Sequence, residues 1–337
     1  MATIRDVARR AGVSISTVSL ALNQSGPVSV ETHDKVWNAA REVGYAPNAL
    51  AQSLKLGRTR LIGMVLGDVA NPFFARFLRA VERLAIAENH LVIVSDTEGD
   101  IDHERAMLTH LRGQRVAGII LNPLGSGPDY VAFLHDLPMP IVAIDQRVEG
   151  LACDFVASDS VLAAAMLTEH LIRLDHRRIA LISGIPGLWT SEMRIKGFED
   201  TMRGAGIEVD PALVVCGHYH GRRAYEQTMR LLTQATRPTA IVAANNVMAL
   251  GALQAINDLG FRCPEDISLT SIDDVPWGDV IRPRITMVVQ PITELARIAG
   301  EWLLERINAR GGAPIPPRDH ILVPKLVVGQ SCAPPRS

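Results

Sequence analysis

Four cysteines in 337 residues, at positions 153, 216, 263 and 332, are too few and too scattered for a disulfide scaffold or a zinc ribbon. They suit a reducing compartment better than an oxidising one. No apolar run reaches the eighteen or so residues that a membrane span requires, and no apolar leader opens the sequence. A cytoplasmic chain with no membrane partner is therefore expected. Gly-x-Ser-x-Gly elbows, phosphate-binding P-loops and Gly-x-Gly-x-x-Gly dinucleotide turns are all missing. His218 and His220 stand two apart with no second pair at metal-ligand spacing, and read as loop or surface histidines. No catalytic residue, metal or cofactor is expected.

What the sequence does have is concentrated at its start. In Thr3 to Asn23, Ile4, Val7, Ala8 and Ala11 fall on one face of a first helix and Arg5, Arg9 and Arg10 largely on the other. Gly12 permits a sharp turn, Ser14 is placed to cap a second helix, and Val18 with Leu22 gives that helix a buried stripe. Two such short helices cannot hide their apolar faces alone. Residues 29–43 supply a third, with Ser29 as cap, Val36, Ala39, Ala40 and Val43 facing inward, and Gly44 as the stop. The pattern is a helix-turn-helix on a three-helix core, with residues 14–22 placed to enter a DNA major groove and Ile15, Ser16 and Leu20 facing outward.

Charge supports a nucleic-acid partner. Residues 1–60 carry eight Lys and Arg against four Asp and Glu, whereas the remainder carries 26 against 32. A near-neutral average thus conceals a basic head on an acidic body, as suits a small module that neutralises phosphates.

Between head and body, YAPNALAQSLKLGRTR reads as one short helix bracketed by Pro47 and the stretch Gly57 to Arg60, with Asn48 as its cap. A helix of that length does not persist unaided, so its folding is expected to depend on DNA or a partner. Together with the helix-turn-helix, this segment resembles the lactose-repressor/galactose-repressor family of bacterial transcription regulators, and the resemblance extends to about residue 330. It implies a homodimer on a pseudo-palindromic double-stranded operator, with paired hinge helices in the minor groove. Leu54 stands where the family's leucine wedges open a base step, a distortion costing about a few kcal/mol, and Lys55 where the neighbouring side chain reaches into the groove. A core contact to the body or the partner helix is the alternative for Leu54.

The head departs from a frequent family pattern at Leu20, where many relatives place Arg or His. Leucine offers only apolar contact, for instance to a thymine methyl, so base readout is expected to fall on Ser16 and Ile15 as well. Thr3, Thr17 and Ser19 are better suited to phosphate oxygens, which position without specifying.

The body alternates short apolar runs with helical stretches. Strands are expected at 61–67, 91–96, 116–122, 140–145, 178–184, 213–217, 240–245 and 268–273, with helical periodicity in segments such as 74–88 and 160–174. Strands apolar throughout lie between helical layers, so the fold class is α/β with doubly wound parallel sheets. Length and the clustering of the strands indicate two similar lobes, a periplasmic-binding-protein-like body. Expected boundaries are a helix-turn-helix domain at 1–46, hinge helix and linker at 47–60, a two-lobed effector-binding and dimerisation domain at 61–331, and a Pro-rich tail at 332–337. That tail has no leucine heptads, so a tetramer is not expected.

Ligands in such folds sit beyond the carboxyl ends of the strands. That rule nominates Asp68, Phe73 and Phe74, then Thr190, Ser191 and Arg194, then Asn245 and Asn246, then Asp273 with Trp277 nearby. Rings stacking on a sugar's apolar face and polar groups pairing with its hydroxyls make a carbohydrate the expected effector. Plainer roles exist: Asn71-Pro72 as a helix start, Arg194 paired with Glu192 or Glu199, Asp273 as a cap. The resemblance implies effector contacts at Arg194, Asn245, Asp273 and Tyr219, which match by type. Asn246 departs where aspartate is frequent. Leu188 and Trp189 occupy the loop where a purine-binding relative would show an arginine, which points away from a purine effector.

These features describe a DNA-binding transcription regulator, a repressor governed by a small carbohydrate effector. The rivals are a periplasmic-type solute-binding protein and a sugar-metabolising enzyme on the same body. The first would begin with an export leader, and the second needs a catalytic constellation that the sequence lacks.

Overall fold

The computed structural model describes residues 2–23, 26–45, 59–274, 278, 280–309 and 315–336. Asn48, Leu54, Lys55 and Trp277, and with them the expected hinge helix, lie outside these residues. The chain divides into two compact units, Met1–Thr59 and Arg60–Ser337.

The first unit contains α1 (Ile4–Ala11), α2 (Ile15–Asn23) and α3 (Val30–Glu42). Thr3 and Asp6 close a capping box at the start of α1, and Gly12 ends it in the left-handed conformation at φ 65°. Ser14 accepts from the Thr17 amide (3.1 Å) and Ser29 from the Thr32 amide (3.3 Å), so the second and third helices begin at the expected caps. The core they enclose is Val7, Ala8, Ala11, Val18, Ala21, Val36, Ala39 and Ala40. Five of these eight are alanines, which lets three short helices approach closely around little volume. Leu22, expected in the buried stripe, only packs on the edge of this core, and Ala21 fills the position.

The second unit holds two six-stranded sheets. The first lobe is built from β1 (Leu61–Leu66), α4 (Pro72–Ala87), β2 (Leu91–Asp96), α5 (Ile101–Gly113), β3 (Gly118–Leu121), α6 (Pro128–His135), β4 (Ile141–Ile144) and β5 (Asp154–Ser158). The second follows with α7 (Ser160–Arg173), β6 (Ile179–Ser183), α8 (Trp189–Gly204), β7 (Val214–Cys216), α9 (Gly221–Leu232), β8 (Ala240–Ala243), α10 (Asn246–Asp258), β9 (Ser268–Ile272) and β10 (Thr286–Val289). The chain then returns through α11 (Ile292–Asn308) and β11 (Asp319–Leu322) to the first lobe, and crosses back as β12 (Lys325–Val327). Strand orders are β11-β5-β4-β3-β1-β2 and β12-β10-β9-β8-β6-β7, parallel everywhere except β10 with β12. The expected doubly wound α/β fold is the observed one.

All eight expected strands form, within a residue or two at each end. Four more, β5, β10, β11 and β12, carry no such signal in the sequence. Asp154 at the head of β5 is fully buried and held by Arg306 (2.5 Å) from α11 and Arg318 (3.0 Å) before β11, so distant charges fix that strand in place. The carboxyl-terminal segment, expected as a Pro-rich tail, is tied to the second lobe. The Ala333 amide donates to Ser268 Oγ (3.1 Å), His176 Nε2 donates to the Ala333 carbonyl (2.9 Å), and Arg336 pairs with Asp266 (2.9 Å).

Each sheet reverses its strand order once, between β1 and β3 and between β6 and β8. At such a switch the loops leave in opposite directions and open a crevice. Three crossovers, near residues 158–160, 290–291 and 323–324, connect the lobes. Two are tied together where the Asp159 amide donates to the Leu322 carbonyl (2.9 Å).

Candidate functional site

A cavity of about 340 Å³ lies where the carboxyl ends of both sheets meet. At roughly 30 Å³ per liquid water it holds on the order of ten waters, or a compact ligand of ten to twenty heavy atoms. The β1–α4 turn supplies Asp68, Asn71, Phe73 and Phe74. Asn71 caps α4 through the Phe73 amide (3.0 Å) with Pro72 in the first turn, which points the helix amino terminus at the cavity. Phe73 and Phe74 pack edge to face at 5.0 Å and belong to the first lobe's core as well as to the cavity wall.

From the second lobe come Arg194 on α8, Tyr219 after β7, Asn245 after β8 and Asp273 after β9. Gly184 allows Tyr219 its place, because a Cβ there would fall 2.0 Å from the ring. Arg194 is 4% exposed. It pairs with neither Glu192 nor Glu199; it donates to the Ala244 carbonyl (2.6 Å) and lies over the Tyr219 ring at 5.8 Å. Asn245 caps α10 by accepting from the Met248 amide (2.8 Å), leaving its NH₂ for other partners. Asn246 sits off the cavity, its amide donating to the Asp274 carbonyl (3.0 Å).

Two more nominated residues are not on the wall. Thr190 and Ser191 are fully buried behind it, and Thr190 acts as a strut: it binds Gln146 twice and its hydroxyl meets the Tyr219 phenol at 3.0 Å. Side chains on α8 alternate between cavity and core, and only Arg194 of the three has the length and direction to reach in. Leu188 lines the cavity, whereas Trp189 turns away to pack edge to face on Phe155 at 5.5 Å.

The structure adds wall residues that sequence reasoning missed: Asp96, Asn122, Asp145 and Gln146 at the ends of β2, β3 and β4, and Gln290 after β10. His218 and His220, read as loop or surface histidines, do stand in the loop between β7 and α9, and both also line the cavity. The rule that nominated Asp68 would have found the first group, since each stands at or just beyond an expected strand. Gln290 follows a strand without a sequence signal and had none of its own.

Backbone geometry marks the same place. Of the non-glycine residues with positive φ among the described residues, Glu98, Asp145, His218, Tyr219 and Asp273 all line this cavity. Each left-handed residue costs about 1–2 kcal/mol, and such strain collects where side chains must be aimed rather than packed.

The electrostatics centre on Arg194. Burial works against its charge, but Tyr219, Asp145 and Asp273 outweigh that and keep it cationic. Burial pushes the Asp273 carboxyl up to about 6; the nearby Asp145 charge adds to the rise, while Arg194 and a 2.7 Å bond from Gln290 Nε2 restrain it. Asp145 is also raised by burial, opposed by Arg194 and the Asn122 amide. The wall therefore offers a fixed fork of N–H donors between carboxylate acceptors, with amides beside them and aromatic rings flanking. That arrangement recognises hydroxyls; among the described residues no group of three His, Cys, Asp or Glu could hold a metal ion.

On the head, Ile15 is 46% and Leu20 36% exposed, and Ser16 is exposed beside them. Thr17 and Ser19 are half-buried, and Thr3 is exposed with its hydroxyl engaged by Asp6 at 2.7 Å. Large apolar side chains left bare on a short helix beside exposed arginines form a surface suited to a groove.

Comparison with known proteins agrees with this geometry. Residues 3–48 match the family described as bacterial regulatory proteins, lacI family, and residues 168–332 match the periplasmic binding protein-like domain. The chain is 33% identical over 311 residues to the HTH-type transcriptional repressor PurR of Aliivibrio fischeri (strain MJ11), covering 91% of this chain and 92% of that one. It is 33% identical over 308 residues to the ribose operon repressor of Haemophilus influenzae, with the same coverage. Among solved structures, the lac repressor dimer bound to operator and the anti-inducer ONPF superposes with a TM-score of 0.85 at 28% identity, over 98% of this chain and 99% of that one. The transcriptional regulator CelR in complex with cellobiose gives 0.74 at 29% identity, over 98% and 100%.

Proposed function

The chain belongs to the lacI family of bacterial regulatory proteins and is a DNA-binding transcription regulator, and from that premise we propose that it is a cytoplasmic, homodimeric repressor whose grip on a pseudo-palindromic operator is set by a small carbohydrate in the cavity. The observation that carries this reading is the composition of the cavity wall. Both lobes contribute to it, and Arg194 with Asp145 and Asp273 forms a donor and acceptor set for hydroxyls. Relatives described as a ribose operon repressor and a CelR–cellobiose complex are consistent with it.

In this reading residues 1–46 read the operator, with Ile15, Ser16 and Leu20 at base edges and Thr3, Thr17 and Ser19 at phosphates. Residues 47–60 act as the hinge, with Asn48, Leu54 and Lys55 in the roles that the family resemblance assigns them, and 61–331 senses effector and dimerises. The mechanism is a two-state coupling. The lobes have two arrangements, and a ligand that touches both walls binds one of them better. Near-complete switching in either direction needs differential affinity on the order of 10⁴-fold over the sites engaged. Operator selected from a random duplex pool, titrated with protein at increasing sugar concentration, tests the reading. Operator affinity must move with saturating effector.

A further inference from the structure

We infer that the effector is an uncharged sugar or polyol, and that phosphorylated sugars and sugar acids are excluded by the cavity itself. This deepens the carbohydrate reading above and rests on it.

The first observation is charge balance. Asp68, Asp96, Glu98, Asp145 and Asp273 line the cavity, against one permanent cation, Arg194. Among the described residues Asp68 and Asp96 accept only backbone amides, from Ala70, Val69 and Glu98, and Arg194 is already flanked by Asp145 and Asp273. Protonating both of those flanking acids would still leave three carboxylates facing one guanidinium. An anionic ligand would meet net repulsion, weakly screened beside the buried Asp273 and more strongly screened by water at the exposed Glu98.

The second observation is independent of charge. Two atoms on wall residues are themselves buried and without a hydrogen-bond partner: Arg194 Nε, a donor, and Gln290 Oε1, an acceptor, each on a residue 4% exposed. The Gln290 orientation is fixed because its Nε2 donates to Asp273. Buried polar groups left unmatched are costly, so a ligand toward which these side chains turn gains most when it brings an acceptor for one and a donor for the other. Hydroxyls do both. A phosphate dianion or carboxylate group brings only acceptors, so placed here it satisfies Arg194 and leaves Gln290 Oε1 to a separate hydroxyl of the same ligand. The two observations converge on hydroxyl groups without formal charge.

Calorimetric titration of the full-length chain at pH 7.5 against matched sets tests this: glucose, galactose, ribose, mannitol and cellobiose beside glucose 6-phosphate, ribose 5-phosphate, gluconate and galacturonate. The tightest compound should be uncharged, with its charged counterpart at least thirtyfold weaker. In the double variant Asp96→Asn, Glu98→Gln, the ratio of anionic to neutral affinity should rise at least fivefold, a change that a merely structural role would not produce. An anion binding as tightly as its neutral partner overturns the charge rule and leaves the carbohydrate reading standing. Binding by no compound of either class overturns the carbohydrate reading and this inference with it.

Discussion

Gln146 and Thr190 grip each other twice across the cleft: Gln146 Nε2 donates to Thr190 Oγ1 at 2.6 Å, and the Thr190 amide donates to Gln146 Oε1 at 3.1 Å. One residue follows β4 in the first lobe and the other begins α8 in the second. Gln146 lines the cavity, and the Thr190 hydroxyl also meets Tyr219, which lines it too. The latch between the lobes thus joins a cavity-wall residue, Gln146, to one buried directly behind the wall, Thr190. A second tie, Arg76 to Asp274 at 2.6 Å, joins α4 to the residue after Asp273.

Thr190→Val removes the hydroxyl bond of this latch and Gln146→Leu removes both bonds. Each is expected to shift the effector concentration at half response by about five- to thirtyfold, the equivalent of about 1–2 kcal/mol for hydrogen bonds lost between neutral groups. The double variant should shift it no further, because groups in one contact are not additive. Effector titrations of operator binding on the four proteins measure this, and independent, additive shifts would contradict it.

Arg194→Met removes the one cation between Asp145 and Asp273. Effector affinity should fall at least a hundredfold, as expected for loss of charge-assisted bonds worth about 1.5–3 kcal/mol each. The Asp273 carboxyl should titrate higher than its present value of about 6, since its largest favourable partner is gone. Non-specific DNA affinity should be retained. Calorimetry, carboxyl titration by NMR and anisotropy on random duplex check the three parts.

Glu104 is fully buried on α5, accepting from the Leu124 amide at 2.9 Å and from the Tyr130 hydroxyl. Burial raises its carboxyl from 4.5 to about 7 against those two bonds. The native state therefore holds a proton that the unfolded chain has released. Its ionisation costs stability progressively as pH rises from about 4.5 to 7, and the full cost is present above 7. Glu104→Gln removes that dependence. Its stability relative to the parent should improve between about pH 5 and pH 8 by up to about 3 kcal/mol, at about 1.4 kcal/mol for each tenfold change in the protonation equilibrium. Urea unfolding of the body at the two pH values measures it; parallel behaviour of the two proteins would contradict the assignment.

Ile15→Ala and Leu20→Ala remove the two large exposed apolar side chains of α2. Each should weaken operator binding by about 1–2 kcal/mol while leaving non-specific affinity and the salt dependence of binding unchanged, since neither touches a phosphate charge. Anisotropy at a series of salt concentrations separates these effects.

The eight strands legible in the sequence carry short apolar runs, and most are buried, although β2 and β7 on the switch-point side of each sheet are only half-buried. Of the four that were not legible, β5 and β10 begin with polar groups satisfied far away in sequence, and β11 and β12 are short and largely exposed. Asp154 needs Arg306 and Arg318, and Thr286 at the head of β10 has its amide bound by Ser331 Oγ at 2.8 Å. The cavity followed the same division. Asp68, Phe73, Phe74, Arg194, Tyr219, Asn245 and Asp273 could be named because each lies just past a readable strand or matches the family by type. Thr190 and Ser191 were placed correctly along the chain and wrongly in depth, because helix phase decides which side chain enters the cavity. Gln290 was invisible, since its role comes from a crossover whose neighbours are set only by the closed fold.

The central claim is that the cavity and the head are energetically coupled, and one measurement tests it most directly: operator affinity of the full-length protein, by anisotropy at physiological salt, without ligand and with the sugar that calorimetry finds to saturate the cavity. The account predicts a change in operator affinity of at least tenfold, abolished by Arg194→Met. An operator affinity identical with empty and saturated cavity would contradict it.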